Sequence, residues 1–335
     1  MINTTGLIVG VGPAGRCDDY RLGGAVVDHD AISGLWRMWY YCRDRTFDGP
    51  PTLGSGRIAH ARSIDGIHWQ RIDGPGALGS VFEPSPDPAA FDSLHVGLGD
   101  VTRGAGEWLM WYFGGDARPR DTIALGPVAG LGMRPGLARS EDGVHWQRVG
   151  GPLLELPTNH IYSAWPNAMH DGAGFLLYVT YAASDLSRFD TGVWSSIDAA
   201  HWVSEGALCW ADGTRDYDIG GMVTRQVLPN PLPGGRRFLM VYTATDADHR
   251  RSIAAGESDD GKVWHRLYDA PIFAVGAENA WDSLGVAATR LVVANGELFL
   301  YYYGFQSLGN DEGQRGIGLA RAPIGDLRRL RRWNQ

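Results

Sequence analysis

Five short segments of the chain carry side chains suited to acid–base or sugar chemistry, and they recur along its whole length. They read CDDYRLGGAVV (17–27), FDSLHVGLGDV (91–101), IYSAWPNAMH (161–170), RDYDIGGMV (215–223) and WDSLGVAATRL (281–291). Counting five residues from an aspartate aligns them. Asp19 precedes Gly24, Asp92 precedes Gly97, Asp216 precedes Gly221 and Asp282 precedes Ala287; Tyr162 takes that place before Asn167. Arg21, His95, His160, Trp165, Tyr217 and Asp218 stand close to these positions. Carboxylates brought together raise one another's pKa and need partners or a task. Trp and Tyr faces stack on the apolar side of a sugar ring, and Asp and Arg bond its hydroxyls. Two carboxylates across a glycosidic bond can act as acid and base, or as acid and nucleophile. The plainer role for any one of these aspartates is to cap the turn at a strand start. For the set, with Arg, His and Trp interleaved, the expectation is a functional cavity.

Such distant segments meet only if the chain repeats one structural unit around an axis. A second set of segments has the length and composition of strands: LWRMWYYCRD (35–44), EWLMWYFGGD (107–116), FLLYVTYAAS (175–184), RFLMVYTATD (237–246) and LFLYYYGFQS (298–307). A third set follows these. Its first four copies carry S-x-D and then, at a fixed offset, Trp69, Trp146, Trp202 or Trp264. The aspartate suits a turn cap, and the tryptophan a plug between units. Each unit therefore predicts four strands, with the acid-bearing segment innermost. One such sheet cannot bury both faces, whereas a ring of five can. The expected fold is all-β: a single five-bladed β-propeller with four antiparallel strands per blade. Its blades run approximately over 18–80, 91–156, 162–210, 216–274 and 282–335, with a short N-terminal strand completing the last.

This organisation also disposes of a competing motif. GVGPAG (10–15) follows an apolar run, as in dinucleotide-binding folds, but the helix that would hold the pyrophosphate has only RCDDYRL before Gly23-Gly24. It is read as the loop entering the first inner strand, and no cofactor is expected. The formal net charge of −8 leaves no basic footprint for nucleic acid. The tail LRRLRRWNQ is read as a solvated end. No apolar run reaches the length of a membrane span. Cys17, Cys42 and Cys209 fit neither a disulfide framework nor a zinc pattern, and no pair of histidines has a metal-ligand spacing. Cysteines without a disulfide pattern suit the cytoplasm, and the short, glycine-broken apolar stretch near Met1 lacks the basic n-region of a signal peptide, so a cytoplasmic location is expected. The expected partner is a small-molecule sugar or glycoside, with neither nucleic acid nor membrane involved.

The five-fold pattern, the S-x-D-G-x-H-W turns and the W-D-S segment together resemble the five-bladed propeller glycoside hydrolases: the arabinanase, β-xylosidase, invertase and levansucrase superfamily (families 32, 43, 62, 68 and relatives). The resemblance spans nearly the whole chain. It implies a base or nucleophile on the first strand of blade one, where Asp19 matches and Asp18 is its neighbour. It implies a second aspartate on blade two that tunes the first, matched by Asp92. It also implies a general-acid glutamate on blade three, where this chain reads Ser163-Ala164-Trp165-Pro166. Asp218 is the substitute acid expected here, with Arg21, His95, His160, Tyr162, Trp165, Asp216, Tyr217 and Asp282 binding substrate. Loss of the proton donor typically slows such chemistry about 10²–10⁴-fold. Two other readings therefore stand beside hydrolysis: a repurposed propeller catalysing elimination, isomerisation or cyclisation, and a sugar-binding propeller without catalysis.

Overall fold

Among the described residues, five antiparallel meanders follow one another. The first comprises Arg21–His29, Trp36–Arg43, Arg57–Ser63 and Gln70–Ile72. The second comprises His95–Arg103, Trp108–Gly115, Arg134–Ser140 and Gln147–Arg148, and the third His160–His170, Phe175–Ala183, Phe189–Ser196 and Val203–Ala207. The fourth comprises Gly221–Pro229, Phe238–Thr245, Arg251–Ser258 and Val263–Arg266, and the fifth Gly285–Ala294, Glu297–Phe305, Arg315–Pro323 and Arg331–Arg332. The N-terminal strand Leu7–Val9 pairs with Arg315–Pro323 of the fifth. The structure is a computed structural model and describes residues 2–104, 106–123, 125–306 and 315–334. The last expected unit, 282–335, thus includes positions outside the described residues. Among the described residues there is no α-helix.

The first strand of each meander packs against the first strands of the meanders before and after it, and that of the fifth packs against that of the first. This closed cycle makes the fold a β-propeller. Second strands such as WLMWYFGG are buried at every position, because each sheet is covered on both faces.

The S-x-D turns hold the meanders together. Asp65 accepts from the backbone N–H of Ile67 and His68 and pairs with His68 Nδ1 at 2.8 Å, while Ser63 Oγ accepts from Gly66 N. Asp142, Asp198 and Asp260 cap their turns in the same way. The tight corner puts Gly66, Gly143 and Gly261 at positive φ, and Ala199 takes that place in the third copy at φ 59°. The corner carbonyls then bind the neighbouring meander. Trp39 Nε1 donates to Gly143 O at 2.7 Å and Tyr178 OH to Gly261 O at 2.8 Å. Tyr301 OH donates to Gly66 O at 2.8 Å, tying the fifth meander to the first. Trp202 meets Trp111 edge-on at 5.9 Å, so the tryptophans that follow these turns do plug one unit against another.

Candidate functional site: a cationic cavity on the propeller axis

Each innermost strand carries a bulge, at Leu22/Ala25, Leu98/Asp100, Ala164/Asn167, Met222/Arg225 and Ala288/Arg290. A bulge re-aims side chains and bends its strand. Of the residues inside these irregularities, all but Pro166 (Gly23 and Gly24, Gly99, Trp165, Val223 and Thr224, Thr289) line one cavity of about 350 Å³. Trp165 sits at φ 48°, a left-handed conformation unusual for a bulky side chain, directly before Pro166.

The charged residues of the described lining are cationic. Arg21, Arg43, Arg225, Arg251 and Arg315 border the cavity with His95, and no Asp or Glu is among its described lining residues. Arg43 is 5% exposed, donates to the carbonyls of Leu53 and Gly54, and lies 3.9 Å over the Phe47 ring. Arg225 is 4% exposed. Its donors meet only neutral groups: the Thr180 hydroxyl, the Val223 and Trp165 carbonyls and the Met222 sulfur. Burial pulls its guanidinium down to about 9. Arg251 stands beside Tyr162 and Tyr303, and Arg315 Nη1 donates to Tyr303 OH at 3.0 Å. Arg21 lies over the Tyr20 and Phe47 rings. His95 is buried between Tyr41 and Phe113, both edge-on at 5.8 Å, and its Nδ1 has no hydrogen-bond partner. Burial first, and Arg43 second, push His95 well below the usual imidazole range, so the ring is neutral.

The aspartates expected to converge here are placed elsewhere. Asp92 accepts from Tyr112 OH at 3.0 Å and Arg148 Nε at 2.7 Å. Asp218 accepts from Tyr242 OH at 2.8 Å and from Arg266, and Asp282 from Tyr302 OH at 3.0 Å and Arg332 Nε at 2.8 Å. In the first meander the matching residue is Asp18, bonded to Tyr40 OH and Arg71 Nε. Each clamp fastens the loop before the inner strand to a second-strand tyrosine and, from the outermost strand, an arginine. The expected alignment therefore slips by one residue at Asp19 and by two at Asp216, whose neighbours Asp18 and Asp218 hold the repeated place. Asp19 is 5% exposed, accepts from Gly15 N and Arg45 N, and lies two residues before the cavity residue Arg21. Asp216 is exposed on a short 3-10 turn and Tyr217 OH reaches Tyr268 O at 3.3 Å. Asp19, Asp92, Asp216, Tyr217, Asp218 and Asp282 do not line the cavity, and neither do His160 and Tyr162. His160 packs on Tyr181, and the buried Tyr162 packs edge-on against Trp165. Of the expected site residues the cavity gathers Arg21, His95 and Trp165.

A buried carboxylate next in sequence to two lining positions is saturated. Asp100 accepts from Arg290 Nη1 at 2.8 Å and from Asn167 Nδ2 at 2.6 Å, one residue beyond the lining positions Gly99 and Thr289. Sequence reading missed Arg43, Arg225, Arg251 and Arg315. The available signal was an arginine within or at the end of an otherwise apolar strand, a costly place for a charge without a partner. Among the described residues no group of three His, Cys, Asp or Glu side chains stands close enough together to hold a metal ion.

No family model matches this sequence, and no curated protein matches it. Solved structures do. A glycoside hydrolase superposes with a TM-score of 0.67 at 17% identity, covering 96% of this chain and 93% of its own. A β-1,2-mannobiose phosphorylase from Listeria innocua gives 0.64 at 13% identity, covering 91% and 90%. A sucrose-6-phosphate hydrolase from Lactobacillus gasseri gives 0.62 at 12% identity, covering 98% of this chain and 62% of its own. The chain shares the β-propeller fold of these enzymes.

Proposed function

We infer, from a propeller fold shared with glycoside hydrolases, that this chain is a carbohydrate-active protein that takes a glycoside or sugar-like small molecule in its axial cavity. We read the chain as one domain of five blades, working in the cytoplasm with its three cysteines free. The observation that carries the reading is the cavity itself. Trp165, Tyr41, Phe113 and Tyr303 offer ring surface, and arginines and His95 offer donors, within a volume suited to a small molecule.

The chemistry is better described as a repurposed, non-hydrolytic step than as ordinary hydrolysis. Hydrolysis needs two carboxyl groups flanking the scissile bond, and the described lining supplies none. Asp92 and Asp218 are committed to Tyr–Arg clamps, so their proposed roles as modulator and acid have little support. Hydrolysis remains the second reading through Asp19, the aspartate next to the cavity entrance in sequence. The test is a panel of aryl glycosides with wild type and Asp19→Asn, alongside calorimetry with neutral and anionic sugars. Sugar binding without aryl-glycoside turnover is expected. Turnover that disappears in Asp19→Asn would restore the hydrolase reading, and absence of any sugar binding would reject both.

A further inference from the structure

We propose that the axial cavity is built for an anionic ligand, a sugar-like small molecule carrying a carboxylate or phosphate group. The inference rests on the reading of the cavity as a sugar site and specifies the charge of what enters it.

The argument is a contrast within the molecule. Outside the cavity, even half-buried arginines are matched with carboxylates. Arg71 pairs with Asp18, Arg148 with Asp92, Arg266 with Asp218, Arg332 with Asp282 and Arg290 with Asp100. Inside it, Arg43 and Arg225 are at least as deeply buried and meet only carbonyls, a hydroxyl, a sulfur and rings. Among the described residues the Arg251 guanidinium has no hydrogen-bond or ion-pair partner and stands beside the Tyr162 and Tyr303 rings. Carbonyl contacts satisfy the N–H directions of a guanidinium but do not neutralise it, and a buried charge without a counter-charge costs several kcal/mol. The chain does not lack acids: it has 38 Asp and Glu against 30 Lys and Arg. Among the described residues, acids stand on the clamps, on the turns and in the Asp100–Arg290 pair, and none lines the cavity.

An anion supplies the missing charge. Guanidinium groups match the two oxygens of a carboxylate or phosphate with paired donors. Neutral His95, with Nδ1 unsatisfied, adds a hydrogen-bonding group without repelling further cations. Trp165, Phe113 and Tyr303 give the remainder of the ligand an apolar wall, which fits a ring-bearing molecule better than a bare inorganic ion. The volume of about 350 Å³ lies near the lower end of small-molecule sites, commonly about 300–1,000 Å³.

The experiment is titration calorimetry of the full chain at low ionic strength with glucuronate, glucose 6-phosphate, glucose and inorganic phosphate, repeated with Arg251→Gln and Arg251→Lys. One or both sugar anions should bind at least tenfold more tightly than glucose and weaken as salt is raised. Which of them binds decides between carboxylate and phosphate. Arg251→Gln should lose about ten- to hundredfold in anion affinity, Arg251→Lys much less, and neither change should lower the thermal midpoint. A variant that fails to fold is replaced by salt titration of the wild type, where flat affinity overturns the proposal. Glucose binding as tightly as the anions overturns it while leaving the sugar site intact. Inorganic phosphate binding as tightly as either sugar anion supports the anion site and overturns the sugar reading. Silence from every anion overturns the proposal.

Discussion

Arg290 and Asp100, 190 residues apart in sequence, form a 2.8 Å ion pair between the inner strands of the fifth and second meanders. Arg290 also donates to Val27 O on the first, Asp100 accepts from Asn167 on the third, and Asn167 accepts from Val227 N on the fourth. All five inner strands thus meet in one buried polar network at the foot of the axis. Burial raises the Asp100 carboxyl above the usual carboxylate range, against the pull of Arg290. Asp100→Asn leaves Arg290 unpaired and should cost about 3–5 kcal/mol of stability. A double variant, Asp100→Leu with Arg290→Met, should cost less than Asp100→Asn, because no lone charge remains. Urea denaturation of the set checks the order.

The Asp–Tyr–Arg clamps give a second prediction, which separates fold from function. Asp92 and Asp218 each hold a buried tyrosine hydroxyl and a guanidinium. Their burial and bonds raise the Tyr112 and Tyr242 phenols far above the usual range, with burial the larger cause. Asp92→Asn and Asp218→Asn should each lower stability by roughly 2–4 kcal/mol through the unpaired arginine. Ligand affinity measured well below the melting temperature should stay within about threefold of wild type. A collapse of binding with stability intact would return these residues to the site.

Acid should weaken the fold through its buried imidazoles. His60 accepts from Arg62 Nε at 3.4 Å, meets Met38 O at 3.1 Å and stacks on Trp39; burial first, and Arg62 next, bring it down to about 3. His95 is lowered in the same sense. Both are neutral in the folded chain, whereas the unfolded chain takes up their protons near pH 6.5. Their contribution is therefore complete above pH 6.5 and is lost as pH falls toward 3, at up to ~1.4 kcal/mol per pH unit for each ring. Stability measured from pH 7.5 to 5, above most carboxylate titration, should fall in wild type and fall less steeply in His60→Gln.

The architecture was legible because its signals are local and repeated. Aromatic second strands and S-x-D turns recur with fixed spacing, and a turn's hydrogen bonds are decided by residues a few positions apart. The site was less legible, because a bulge in every inner strand shifts which residue faces the axis. Counting from the aspartate aligned Asp19 and Asp216 with Asp92, whereas the tyrosine clamps select Asp18 and Asp218. The cavity arginines come from different strands and meet only through closure of the ring: Arg43 ends a second strand, whereas Arg251 and Arg315 begin third strands. His95 and Arg21 were found because they lie beside repeated aspartates, and Trp165 because it follows Tyr162, which takes that place in the third copy.

Trp165 is a strained residue on the cavity wall and gives the sharpest mutational expectation. Its left-handed backbone costs roughly 1–2 kcal/mol for a residue other than glycine, and the following proline disfavours that conformation further. Contacts with Phe113 at 5.5 Å and Tyr162 at 5.7 Å offset part of this, each aromatic pair contributing about 0.5–1.5 kcal/mol. Glycine at this position removes both the strain and the contacts, so Trp165→Gly should leave stability within about 1–2 kcal/mol of wild type. The same change removes the largest ring from the cavity wall, and affinity for the sugar-like ligand should drop more than tenfold. Paired denaturation and calorimetry decide the matter. A large loss of stability with undiminished affinity would mean that the ring holds the third meander in place and has no part in binding.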